Sequence, residues 1–178
     1  VEHERIREHY EETYRERGAR AFPREDSRTL ACVRPLLARL GRGDRVLDVG
    51  CGVGYAASLL SDAGLGVAGV DISETAIALA RERLPGAELV PARPDGRLPW
   101  GDGAFDGLVC LGVLEHVPAP EGVLAECRRV LRTGGTAVFV VPNSRSPYFL
   151  FGRGTGQVYE KPRTLAGWRA LFAANGFL

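Results

Sequence analysis

VLDVGCGVG, Val46 to Gly54, is the stretch on which the reading of this chain turns. Val46, Leu47 and Val49 form an apolar run of strand length, and glycines at 50, 52 and 54 follow at once. Glycine lets a backbone turn sharply and lets a ligand approach with no Cβ in the way. Residues 55–63 (YAASLLSDA) then have helical spacing. A strand, a glycine turn and a helix in that order put the turn's amides at a helix N-terminus, which favours an electron-rich or anionic group.

The same alternation runs outward from this turn. A second strand over residues 67–70 ends at Asp71, and Ser73 caps a helix over 74–84 that Pro85 and Gly86 stop. A weaker strand follows at 88–92, and a fourth at Phe105–Leu111 after the turn-rich Trp100–Gly103. Residues 121–131 predict a helix ended by Gly134 and Gly135, and 136–141 a fifth strand stopped by Pro142. Upstream, Glu2–Arg17 reads as a polar helix carrying Tyr10 and Tyr14. A second helix, capped by Asp26 or Ser27, runs to about Leu40 with Leu30, Val33, Leu36, Leu37 and Leu40 on one face. Residues 145–161 are irregular and aromatic, and a last helix covers 164–174. Strands alternating with helices predict an α/β fold: a doubly wound, mainly parallel sheet, helices on both faces and an N-terminal helical extension.

With 178 residues, the chain suits one domain, divided as an extension (1–40), a ligand-binding core (41–143) and a substrate-loop region with the last helix (144–178). Apolar residues at 45% and charged residues at 25% suit a folded globular protein. A net charge of +1 gives no general pull toward nucleic acid, and no apolar run approaches the roughly 20 residues of a membrane span. The charged N-terminus lacks a secretory signal's apolar block, and Cys32, Cys51, Cys110 and Cys127 show no metal or disulfide spacing, so a reducing cytoplasm and no metal are expected. The chain starts with valine, has no methionine and stops at Leu178, which suggests a piece of a longer protein.

Two carboxylates sharpen the reading. A dinucleotide fingerprint G-x-G-x-x-G counted from Gly50 needs glycine at position 55, where this chain has Tyr55. Asp48, two residues before Gly50, gives a pyrophosphate nothing, but suits a ligand with an ammonium and a sulfonium, as in S-adenosylmethionine. An aspartate that simply caps the loop is the alternative. Asp71, at the end of the second strand, is placed to accept both hydroxyls of a ribose.

Together these motifs resemble the class I S-adenosylmethionine-dependent methyltransferases, small-molecule branch, which share a Rossmann-like fold. VLDVGCGVG is similar to that family's first motif and GVDIS, Gly69 to Ser73, to its second. LPWGDGAFDGLVCLGVLEHV, Leu98 to Val117, resembles the stretch around the fourth strand, and RRVLRTGGTAVFVVPN, Arg128 to Asn143, the segment after it. The resemblance implies that Asp48 and the Gly50, Cys51, Gly52 and Gly54 backbone face the methionine part of S-adenosylmethionine. It implies Asp71 on the ribose, Ile72 on the adenine and Leu111 beside the methionine moiety. For the adenine amino group the best match is Asp95, four residues before Pro99 where five is usual. S-adenosylhomocysteine would be the product. The family's sheet usually ends in two further strands, which would lie beyond Leu178.

His116, in LEH after the fourth strand, is the candidate general base; a histidine that only orders the loop into Pro118 is the alternative. Glu115 is a weaker candidate, and His3 and His9 are expected in solvent. Tyr14, Tyr148, Phe149 and Tyr159 are the candidate contacts to a small-molecule acceptor. The aromatic loop could equally be surface packing or a homodimer contact. O- or N-methylation of a small molecule is the expected activity. A catalytically silent binding module and a nucleotide-dependent oxidoreductase are the alternatives. Methylation of nucleic acid is disfavoured by the lack of a basic stripe and of an NPPY-type segment.

Overall fold

The computed structural model describes residues 2–21, 26–93, 95–147 and 159–177. Its centre is a parallel sheet of β1 (Arg45–Val49), β2 (Gly66–Asp71), β3 (Glu88–Pro91), β4 (Phe105–Leu111) and β5 (Leu131–Val140), in spatial order β3-β2-β1-β4-β5. The helices are α1 (Glu2–Arg17), α2 (Asp26–Leu37), α3 (Tyr55–Asp62), α4 (Glu74–Arg83), α5 (Pro120–Val130) and α6 (Leu165–Ala174). A parallel sheet is covered on both faces, and its strands alternate accordingly. Val46 and Val109 pack with Val33 and Leu36 of α2 and Ala57 and Leu60 of α3. Leu47, Val49, Leu108 and Cys110 face the other way, toward Leu124 and Cys127 of α5 and Trp168 and Leu171 of α6. The doubly wound architecture with its N-terminal helix is thus as expected.

Polar side chains cap two of the helices. The Ser73 hydroxyl accepts from Ala76 N–H at 3.0 Å to open α4, and Thr164 Oγ1 accepts from Gly167 N–H at 3.1 Å to open α6. Two boundaries differ from expectation. Leu30 is 46% exposed, so the buried stripe of α2 begins a turn later, at Val33. The paired glycines 134 and 135 do not separate helix from strand: β5 starts at Leu131, directly after α5. Leu131 pairs with Phe105 and Thr136 with Gly107, so five steps along β5 match two along β4 and the surplus bulges out around the glycines.

The site needs the order of three strands. β1 lies between β2 and β4, so the carboxyl ends of all three open into one crevice. In open α/β sheets ligands bind in such a place.

Candidate active site

The crevice, about 430 Å³ in volume, brings together Asp48, Gly50, Cys51, Gly52, Asp71, Ile72, Leu111 and His116. That is large enough for a cofactor-sized ligand. The glycine turn continues the β-ladder, since Gly50 N–H and Cys51 N–H both donate to the Val70 carbonyl. Gly50 (φ +74°) and Gly52 (φ +51°) need glycine for two reasons. Their backbone lies in the left-handed region, and an added Cβ would stand 2.2 Å from Val113 Cγ2 or 2.8 Å from the Tyr14 hydroxyl. Gly54, the N-cap of α3, turns away from this lining.

Asp48 lies under the turn and is 2% exposed. The backbone N–H of Ala57, in the first turn of α3, is the neighbour that favours its charged form. One oxygen, Oδ2, is buried with no hydrogen-bond partner. Burial, then the nearby Asp71, push its carboxyl up to about 7. A buried acceptor left unpaired is costly, and one facing a crevice is stabilised by a cationic ligand. Asp71 accepts from Gly52 N–H at 2.8 Å and Ser73 N–H at 3.0 Å. Burial raises its carboxyl too, although these amides pull it back.

His116 is 7% exposed and ends a short 3-10 turn, Leu114–His116. Its Nδ1 lies 2.6 Å from the Tyr159 carbonyl, which only accepts, so Nδ1 carries the proton and Nε2 the lone pair. Nε2 is 3.8 Å from Glu115 Oε1, too far for a hydrogen bond. Burial holds the imidazole below the usual histidine range, against the opposing pull of the Tyr159 carbonyl, so it is neutral at pH 7. Glu115 has a buried, unpaired Oε2, and burial pushes its carboxyl up to about 7. It is not part of the crevice lining.

Other expected site residues fall elsewhere. Asp95 is exposed and outside the lining, its carboxylate accepting from Arg97 N–H and paired with Arg93 at 3.4 Å. Tyr159 meets His116 through its backbone and does not line the crevice. Tyr14 lies over Gly52, at the glycine-loop end. Tyr148 and Phe149 lie outside the described residues. Among the described residues no group of His, Cys, Asp or Glu is arranged to hold a metal ion, and no helix is long and apolar enough to cross a membrane.

Two walls complete the crevice. One is the inner face of α1, where Tyr10 and Tyr14, the tyrosines singled out on this helix from the sequence, are joined by His3 and Ile6, which sequence reasoning missed. His3 is exposed but stands at its edge, and His9 meets Tyr10 edge to face at 5.5 Å. Tyr10 in turn meets the His116 ring edge to face, at 6.2 Å. The spacing 3, 6, 10, 14 was the available signal. The other wall contains Leu98, whose backbone is gripped from α5. Glu126 accepts from Leu98 N–H at 2.8 Å, and Arg129 donates to the carbonyls of Leu98 and Trp100 at 3.0 and 2.8 Å.

Comparison with known proteins agrees with this geometry. A family model described as a methyltransferase domain matches residues 47–139, just over half of the chain. The ubiquinone biosynthesis O-methyltransferase of Thiobacillus denitrificans is 38% identical over 114 residues, covering 61% of this chain and 48% of that protein. The protein of the same name from Bordetella avium is 32% identical over 142 residues, covering 72% and 58%. This chain thus spans about half the length of the curated relatives it matches. In fold it resembles a methyltransferase from Archaeoglobus fulgidus (TM-score 0.73, 24% identity, 86% of this chain and 70% of that one). It also resembles phosphoethanolamine N-methyltransferase 2 of Haemonchus contortus (TM-score 0.72, 21% identity, 97% and 41%).

Proposed function

The chain belongs to the class I S-adenosylmethionine-dependent methyltransferase family, and we propose that it methylates an oxygen or nitrogen of a small-molecule acceptor. The observation that carries this reading is Asp48 Oδ2, a buried and unpaired carboxylate oxygen beneath a glycine turn. That donor set fits S-adenosylmethionine: an anionic acceptor for its ammonium, backbone free of Cβ atoms, and a second carboxylate for its ribose. When bound, this cofactor supplies the activated methyl group and a neutral thioether leaving group.

The chain's own part is to bind, orient and move one proton. Asp48 and the backbone of Gly50–Val53 hold the methionine part, with Leu111 alongside, while Gly54 shapes the entry to α3. Asp71 keeps its loop amides and has lone pairs left for the ribose hydroxyls. Ile72 packs on the adenine. Asp95 reaches the adenine amino group only if its loop turns inward. His116, neutral and with Nε2 as the basic nitrogen, is placed to take a proton from the acceptor. Val113, Val117 and Pro118 give that end an apolar wall that excludes water. The relatives from Thiobacillus and Bordetella, which are O-methyltransferases, support oxygen as the acceptor atom.

The reading places the protein in the cytoplasm, consistent with four free cysteines, and assigns it no nucleic-acid partner. The 143–160 loop is the candidate homodimer contact, checked by light scattering. Calorimetric titration with S-adenosylmethionine, S-adenosylhomocysteine and NAD tests the cofactor. Binding of NAD with no response to either sulfur compound overturns the proposal. Methyl incorporation across phenols, amines and sugars then tests turnover, and saturated protein that methylates none of them points to a silent module.

A further inference from the structure

Helix α1 lines one side of the crevice, buries Ile6 and Tyr14, and reaches the core through the carboxylate of Glu11. Glu11 Oε2 accepts from the Ser73 hydroxyl at 2.7 Å and from Thr75 N–H at 3.3 Å, while Oε1 accepts from the Thr75 hydroxyl. Burial pushes this carboxyl up, but the hydrogen bonds from Thr75 and Ser73 outweigh it and keep the group ionised. One stripe along, Arg7 pairs with Glu74 at 3.0 Å. So α1 presents two adjoining stripes. Ile6, Tyr10 and Tyr14 face the crevice, and Arg7 and Glu11 hold the first turn of α4.

The attachment point matters. Ser73 is two residues beyond Asp71, and Asp71 accepts from Ser73 N–H. The segment gripped by Glu11 is therefore the same one that holds the ribose carboxylate. At the other end of α1, Gly18 has φ +54° and nothing within 4 Å of an added Cβ, so the backbone can swivel there. Just beyond, the Tyr55 hydroxyl donates to the Ala19 carbonyl at 2.8 Å and pins the base of the helix to α3. A pinned base, a glycine joint and a half-buried polar clasp in the middle of the helix, with an exposed ion pair at Arg7, make a cover whose grip centres on Glu11.

We propose that Glu11 is a positioning residue that holds α1 shut over the cofactor crevice, and that release of its grip on Ser73 and Thr75 lets cofactor and product exchange. This rests on the crevice being the cofactor site. Two readouts separate the claims: hydrogen exchange of residues 2–17 in ligand-free protein, and the stopped-flow release rate of S-adenosylhomocysteine. Glu11→Ala is expected to raise both by about tenfold or more, the size set by losing a charge-assisted hydrogen bond. Glu11→Gln keeps an acceptor oxygen and recovers part of the effect. Thr75→Val, which removes one donor and leaves α4 intact, shifts both readouts the same way and serves if Glu11→Ala does not fold. Native exchange across α1 in a folded Glu11→Ala protein overturns the clasp. Faster exchange with an unchanged release rate overturns its role in cofactor traffic. Faster exchange in a protein that binds no S-adenosylhomocysteine at all overturns the cofactor reading instead, and the release step with it.

Discussion

Replacing Asp48 with asparagine sets stability against binding, and the signs of both effects follow from the structure. Asp48 is buried and its carboxyl is raised from the usual 3.8 to about 7. The folded protein therefore holds this proton where the unfolded chain has released it. The stability it contributes is fully present below about pH 4 and is lost as the pH rises through 7. Three units at about 1.4 kcal/mol each come to roughly 4 kcal/mol. Asparagine keeps the shape of the side chain and one acceptor oxygen, and removes the charge. Its amide leaves a donor unpaired, which costs about 1–3 kcal/mol. Ligand-free Asp48→Asn protein should thus gain about 2 kcal/mol at pH 8, or roughly 4–8 °C in Tm, and lose about 2 kcal/mol at pH 4, where only the cost of the amide remains. The same change removes the anion under the glycine turn. Losing one charged hydrogen bond, about 1.5–3 kcal/mol, should weaken S-adenosylmethionine binding roughly 10- to 100-fold. Thermal unfolding at pH 4 and 8 and calorimetric titration at pH 8 measure both. A variant that is less stable at pH 8, or that binds as tightly as the parent, would refute the reasoning.

Three further outcomes are expected. Asp71→Ala should weaken S-adenosylhomocysteine binding by about 1–3 kcal/mol, since it removes a charged acceptor; unchanged affinity by calorimetry excludes the ribose role. His116→Asn should lower kcat at least about 100-fold and leave S-adenosylhomocysteine affinity within about twofold, and the parent's kcat/KM should rise with pH along a limb below the usual histidine value. An unchanged kcat returns His116 to a purely structural role. Gly50→Ala should destabilise by about 2–4 kcal/mol, from a left-handed backbone and a Cβ driven into Val113, and Val113→Ala should restore part of that loss in the double variant. Denaturant unfolding reads the difference, and an additive double variant contradicts the contact.

Legibility in the sequence depended on whether the cause was local. β1 and β4 have the bounds expected, because each is an apolar run met by glycine or polar residues within one step. Ser73 read as a cap because a cap acts over three residues, whereas Thr164, expected as the first helical residue, is the cap of α6. β5 began five residues early because its bulge is set by the neighbouring strand, which no pattern within 131–136 encodes. Asp48 and Asp71 were legible as a pair, but not that Asp71 is already held by two amides while Asp48 keeps one oxygen bare. Asp95 shows the limit of spacing arguments: one residue of slippage next to proline 94 leaves the carboxylate on an exposed turn with Arg97. Glu11 looked like one more charge on a polar helix. Its partners lie 62 and 64 positions away.

That separation also constrains the order of events during synthesis. α1 leaves the ribosome ahead of its partners: the hydroxyls that receive Glu11 are made some sixty residues later and are arranged only once β1, β2 and α4 have assembled. A lone 16-residue helix of this polarity has little stability in water. The nascent chain therefore builds the floor and side walls of its pocket first, and a helix translated before them is the last to take its place.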